Sequence, residues 1–120
     1  MKEIVLVDDD EVFLEIVKIY IEARKGFKCI TFTNPEDALR YVLEEKGIHA
    51  VISDYEMPQM SGLTLAKTID EQLPTVKLIV ISGHETNYLR KQALKAGVNE
   101  NKIQLLCKSD IVDLVVLLDN

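Results

Sequence analysis

The chain has 120 residues, 48% of them hydrophobic, enough for one domain with a packed core and no disulfide staples. A formal net charge of −6 leaves no basic face, so direct nucleic-acid binding by this domain is not expected. No apolar run approaches the length of a membrane span and no leader pattern precedes the first apolar segment, so a cytoplasmic protein beginning natively at Met1 is expected.

Ile4 to Val7 is a run of four aliphatic residues followed by Asp8, Asp9 and Asp10, which reads as a strand buried on both faces. A helical pattern starts at Glu11, with Phe13, Ile16, Val17 and Tyr20 as the expected inward stripe and Arg24, Lys25 and Gly26 as its stop. Phe27 to Phe32 is apolar but broken by Lys28 and Thr31, as suits an edge strand. Asn34 and Pro35 are a helix start, an N-cap residue followed by proline at the first helical position. Ala38, Leu39, Val42 and Leu43 form the inward face of that helix, and Gly47 closes it.

Ala50 to Ser53 is a second fully buried strand, and Asp54 stands where its apolar run stops. Pro58 restrains Met57 to extended geometry, so the following turn is stiff, and Ser61-Gly62 opens the next helix. An aspartate at such a point is a placed group or an ordinary strand end, and this stretch alone leaves the two readings level. Leu63, Ala66, Ile69 and Leu73 make the third helix stripe, stopped before Pro74. Val76 to Ile81 is the fourth strand, ending in Ser82-Gly83-His84. Leu89, Ala93, Leu94 and Ala96 mark a fourth helix, terminated by Gly97. Ile103 to Cys107 is the fifth strand, ending in Lys108. Ser109 or Asp110 is expected to cap a last helix with Ile111, Leu114, Val115 and Leu118 inward. Cys29 and Cys107 fall in separate apolar runs and are expected to be reduced, buried thiols. His49 precedes a strand and reads as structural.

Strand and helix alternate five times, which calls for a doubly wound, flavodoxin-like α/β domain over 1–120. Its expected parallel sheet has order 2-1-3-4-5 with helices on both faces. In that order the residues ending strands one, three, four and five converge on one edge: Asp8, Asp9, Asp54, Ser82 and Lys108. Clustered carboxylates repel, and such a cluster persists where a cation neutralises it. All-oxygen ligands favour Mg2+, Mn2+ or Ca2+. A divalent ion beside a carboxylate, a hydroxyl and an ammonium is a layout for phosphoryl transfer, with Asp54 as a nucleophile already ionised at neutral pH.

These pieces resemble the receiver domains of two-component response regulators. The resemblance rests on Ile4 to Asp9, on Asp54-Tyr-Glu-Met-Pro58 through Gly62, on Val80-Ile-Ser82 and on Cys107-Lys108, in order and at strand ends. It implies that Asp54 accepts a phosphoryl group from a phosphohistidine on a sensor histidine kinase or histidine phosphotransfer protein. It also implies Mg2+, with Mn2+ as a substitute, held by Asp9, Asp54 and the backbone carbonyl of Glu56, and assisted by Asp8. Ser82 and Lys108 would contact the phosphoryl group and trigger a switch towards a downstream partner or output domain. Such a domain is a signalling phosphoacceptor that catalyses its own phosphorylation and dephosphorylation only.

By the same resemblance Asp10 is expected to cap the first helix. His84 is expected at the pocket rim as an exposed modulator, and the Glu56 side chain at its mouth, where it bears on water access or kinase docking. Three features depart from the family pattern. Ser109 follows the pocket lysine where proline is frequent, Leu105 stands where an aromatic side chain is frequent, and the link from Gly97 to the fifth strand is longer. The first and last helices carry extra apolar residues: Val12, Leu14, Ile19 and Ile21, and Val112, Val116 and Leu117. Beyond a broad buried face, they suit a kinase or phosphotransfer helix, or a homodimer. Two rival readings stand. A pseudo-receiver would be an interaction module with a fixed surface. The run Asp8-x-Asp10-x-Val12 also fits the signature of haloacid-dehalogenase-like phosphatases, in which Asp8 would be the nucleophile.

Overall fold

A computed structural model describes residues 1–119. Five strands, β1 (Lys2–Val7), β2 (Phe27–Phe32), β3 (Ala50–Asp54), β4 (Lys77–Ser82) and β5 (Ile103–Cys107), form one parallel sheet of order β2-β1-β3-β4-β5. The helices are α1 (Glu11–Glu22), α2 (Pro35–Glu45), α3 (Gly62–Gln72), α4 (Thr86–Lys95) and α5 (Leu114–Asp119), the last preceded by a 3-10 helix, Lys108–Asp113. The expected topology is therefore present, with β2 and β5 at the edges.

Successive side chains of a strand point to opposite faces, and this divides the core in two. Ile4, Leu6, Ile52, Ile79, Ile81 and Leu106 pack under α1 and α5. Val5, Val7, Val51, Leu78, Val80 and Ile103 pack under α2, α3 and α4. Register follows, since Ile4 lies beside Ala50 and Ala50 beside Lys77, so β1, β3 and β4 run out at the same level.

Local chemistry sets the helix starts. The side chains of Asp10, Asn34 and Ser61 each accept backbone N–H groups at the first turns of α1, α2 and α3. α3 begins against the end of β3: a Cβ on Gly62 would lie 2.2 Å from the Asp54 carbonyl oxygen. Glycine alone allows that approach.

Several expectations are corrected. In α1 the buried residues are Leu14, Val17 and Ile21, while Ile16 is 60% exposed and Tyr20 lies at the surface. Apolar residues surround that helix, so two inward registers fit its sequence, and packing on the sheet selects between them. Of the extra apolar set, Leu14 and Ile21 are core and Leu117 is partly buried, whereas Val12, Ile19, Val112 and Val116 are exposed. α1 stops at Glu22, ahead of Arg24 and Lys25, and Gly26 (φ 97°) makes the turn into β2. In α4 only Leu89 and Ala93 are buried; Leu94 points to solvent and Ala96 is the C-cap. Neither Ser109 nor Asp110 caps a helix: the chain enters the 3-10 helix without a side-chain cap, and the Ser109 hydroxyl donates to Cys107 Sγ at 3.2 Å. Cys29 is buried but Cys107 is only half-buried. His49 is structural, its ring bonded to the Leu118 carbonyl at 3.1 Å.

Two stability measurements follow from this packing. Leu14→Ala is expected to cost about 3 kcal/mol in urea unfolding and Ile16→Ala within about 0.5 kcal/mol of nothing. Gly62→Ala is expected to cost about 2 kcal/mol or more, because the new methyl must displace backbone rather than a mobile side chain.

Candidate functional site

The parallel register brings the carboxyl ends of β1, β3, β4 and β5 to one edge, and there the predicted residues meet. Asp8, Asp9 and Asp54 each offer a carboxylate oxygen within 4.8 Å of one another. Lys108 Nζ lies 3.3 Å from Asp8 Oδ2 and 3.5 Å from Asp54 Oδ1. Asp8 and Asp54 are buried, at 1% and 7% exposure, while Asp9 is exposed. Two like charges about 5 Å apart repel by roughly 3 kcal/mol at an effective dielectric near 20. Three carboxylates against one ammonium therefore leave an uncompensated anionic site.

Each group is held from outside the cluster. Asp8 Oδ1 accepts the Asp10 N–H at 2.9 Å, and the Asp10 side chain in turn caps α1 through the N–H groups of Val12 and Phe13. The Tyr55 N–H continues the β3–β4 pairing past Asp54 by donating to the Ile81 carbonyl at 2.7 Å. The Lys108 ammonium sits 4.4 Å over the Phe13 ring, a cation–π contact that aims the chain at the acids. Ser82 is buried at the end of β4 and its Oγ accepts the His84 N–H at 3.1 Å. At the mouth the His84 ring bonds the Glu56 carboxylate, and the Tyr88 ring lies 4.5 Å from that of His84.

The electrostatics match the geometry. Burial, then the Asp8 charge, push the Asp54 carboxyl up to about 6 against the pull of Lys108. Burial is also the main cause that raises Asp8, opposed by the Asp10 N–H and by Lys108. Burial disfavours the Lys108 charge, but the two carboxylates outweigh it and hold the ammonium charged. The donor set is all oxygen, fits a hard divalent cation such as Mg2+, and does not suit a thiophilic metal.

Of the expected side chains, Asp8, Asp9, Asp54 and Lys108 converge, Ser82 lies buried at the end of β4, and Glu56 and His84 pair with each other. Two contributors were not foreseen. Phe13, expected in an inward stripe, stands instead under the Lys108 ammonium, and its place five residues after Asp8 on the first helical turn is the signal for it. Tyr88 stacks on the rim histidine from the first turn of α4 and carries no motif of its own. Leu105, in place of an aromatic residue, is partly buried in the core under α2, α3 and α4. The Lys108–Ser109 peptide is trans, as are all those among the described residues.

Residues 4–117 match the family model described as the response regulator receiver domain. The chain is 35% identical over 79 residues to the DNA-binding transcriptional regulator NtrC of Proteus hauseri, covering 66% of the chain and 16% of that protein. It is 32% identical over 97 residues to the transcriptional regulatory protein CssR of Bacillus subtilis, covering 81% and 42%. A response regulator receiver domain protein from Clostridium thermocellum superposes with a TM-score of 0.84 at 26% identity, covering 100% of this chain and 93% of that one. The chain spans less than half the length of these curated relatives.

The raised carboxyl of Asp54 fixes a pH dependence. It binds its proton more tightly folded than unfolded, where the ordinary value is 3.8, so stability falls as pH rises from about 4 through about 6. Asp54→Asn is therefore expected to stabilise the metal-free protein by about 2 kcal/mol at pH 7, with no gain below about pH 4, in urea unfolding across pH.

Proposed function

Because the chain belongs to the response regulator receiver family, we propose that it is a phosphoacceptor switched by a phosphoryl group on Asp54. The single observation that carries this reading is the buried Asp54 carboxylate set between two further acids and the Lys108 ammonium. With a carboxyl near 6, Asp54 is largely ionised at neutral pH and needs no general base.

An Asp54 oxygen forms the O–P bond as the P–N bond of a phosphohistidine breaks, and the electron pair of that bond stays on the donor imidazole. Lys108 stands where it can offset charge on the phosphoryl oxygens, and Ser82 can donate a hydrogen bond to one of them. Asp8, Asp9, Asp54 and the Glu56 backbone carbonyl would hold Mg2+, for which Mn2+ can stand in. The bound ion supplies the neutralisation that one lysine leaves incomplete. The domain thus promotes its own phosphorylation and dephosphorylation and acts on no other substrate.

The donor is a histidine kinase or histidine phosphotransfer protein in the cytoplasm. We assign its docking helix to the exposed ridge of Val12, Ile16 and Ile19, since that ridge begins directly after the acids and starts at the pocket. No helix among the described residues is long and apolar enough to cross a membrane. The downstream element is a separate protein or an output domain, and a homodimer through the same apolar faces is the competing use of them.

Incubation with Mg2+ and acetyl phosphate, read by intact mass, tests the reading. The wild type is expected to gain one phosphoryl group, mapped to Asp54. Asp54→Asn is expected to gain none, and Lys108→Ala to react more slowly by about two orders of magnitude, the scale of one lost charge stabiliser. A label on Asp8 would favour the phosphatase reading, against which stands the use of Asp10 as a helix cap. A wild type that takes up neither phosphoryl nor beryllofluoride would favour the pseudo-receiver.

A further inference from the structure

Lys108 brings a long side chain to the pocket from the first position of the 3-10 helix after β5, and that side chain is 30% exposed. Its flexible stem lets the ammonium range widely, and holding it in one place costs rotamer entropy. Two attractions hold it. Asp8 Oδ2 and Asp54 Oδ1 lie 3.3 and 3.5 Å from Nζ, and the centroid of the Phe13 ring lies 4.4 Å from it.

These attractions differ in what can cancel them. The pull of the acids depends on their charge, and a divalent cation held by the same acids neutralises much of it. The pull of the ring comes from its quadrupole, which stays the same when the acids are neutralised. Phe13 is itself well placed for this. Its backbone N–H donates to the Asp10 carboxylate in the first turn of α1, and its side chain packs on the core beneath α1 and α5. A held ring under a mobile ammonium sets the charge in place before it is needed, so less freedom is lost on the way to the transition state.

We propose that Phe13 is a positioning residue, whose ring face keeps the Lys108 ammonium within reach of Asp54 once the acids of the pocket are neutralised and so raises the rate of phosphoryl transfer. The proposal rests on Asp54 as the phosphoacceptor. It gives the first turn of α1 a part in the chemistry besides carrying the acids' cap.

The NMR signals of Lys108 and a fluorine series at position 13 test this in the full chain. Protons above an aromatic face resonate upfield. The Lys108 ε-methylene signal is therefore expected upfield of the free-lysine position in the wild type, with and without Mg2+, and at the free position in Phe13→Leu. A wild-type signal at the free position, or one that moves there when Mg2+ is added, overturns the proposal whether or not the protein takes up phosphoryl. Ring fluorines drain the negative face and barely change the shape. Mono-, di- and trifluorophenylalanine at position 13 are expected to slow phosphorylation by acetyl phosphate stepwise, reaching about fivefold for the trifluoro ring, the scale of one exposed cation–π contact. Phe13→Tyr, which keeps the ring face, is expected to react like the wild type. In the Lys108→Ala background the fluorine series is expected to be flat, since no cation remains to be held. A flat series with Lys108 present, or an equal slope without it, overturns the proposal. A wild type that gains no phosphoryl group overturns the Asp54 reading instead, and the Lys108 signals still judge the hold of the ring.

Discussion

Like-charge repulsion among three carboxylates is the constraint on which this structure turns. Asp8, Asp9 and Asp54 lie within 4.8 Å of one another at the ends of β1 and β3, and a single ammonium faces them. Close carboxylates with so little compensation are unfavourable in a chain that needs only to fold. Much of the surrounding construction keeps them there. The β1–β3–β4 register levels the strand ends, Asp10 turns its own N–H onto Asp8, and Phe13 holds the lysine over its ring. Gly62 lets α3 begin against the Asp54 carbonyl. Burial, joined by the same repulsion, pushes the Asp54 carboxyl up to about 6, so charge at the site works against stability and favours a cation set beside it.

Around this edge the molecule divides into stiff and loose parts. The sheet, α1 and α3 are closely packed, and their first turns are capped. α4 has two buried side chains and no side-chain hydrogen bond at its N-cap. The aromatic and imidazole side chains from the loops after β3 and β4 stand between the two parts.

Elements whose identity depends on neighbours in sequence were legible before the fold was known. Buried strands show as aliphatic runs, and Asn34-Pro35 and Ser61-Gly62 announce helix starts through local hydrogen bonds. Asp8, Asp9, Asp54, Ser82 and Lys108 were visible because each closes a strand, and parallel order alone brings strand ends together. The face of α1 was misjudged because its apolar residues encircle the helix: Ile16 and Leu14 are equally hydrophobic choices, yet one is exposed and the other buried. The start of the last helix was misjudged because Ser109 bonds Cys107 rather than capping.

The sequence by itself determined the strand and helix alternation and which side chains close the strands, since these follow from periodicity and from where each apolar run ends. Only the tertiary structure decided how far the acids approach one another, which face of α1 meets the sheet, that Phe13 carries the lysine, and that Glu56, His84 and Tyr88 meet at the mouth. Those contacts join residues far apart in the chain, and their distances and burial are set by packing, which no local pattern encodes.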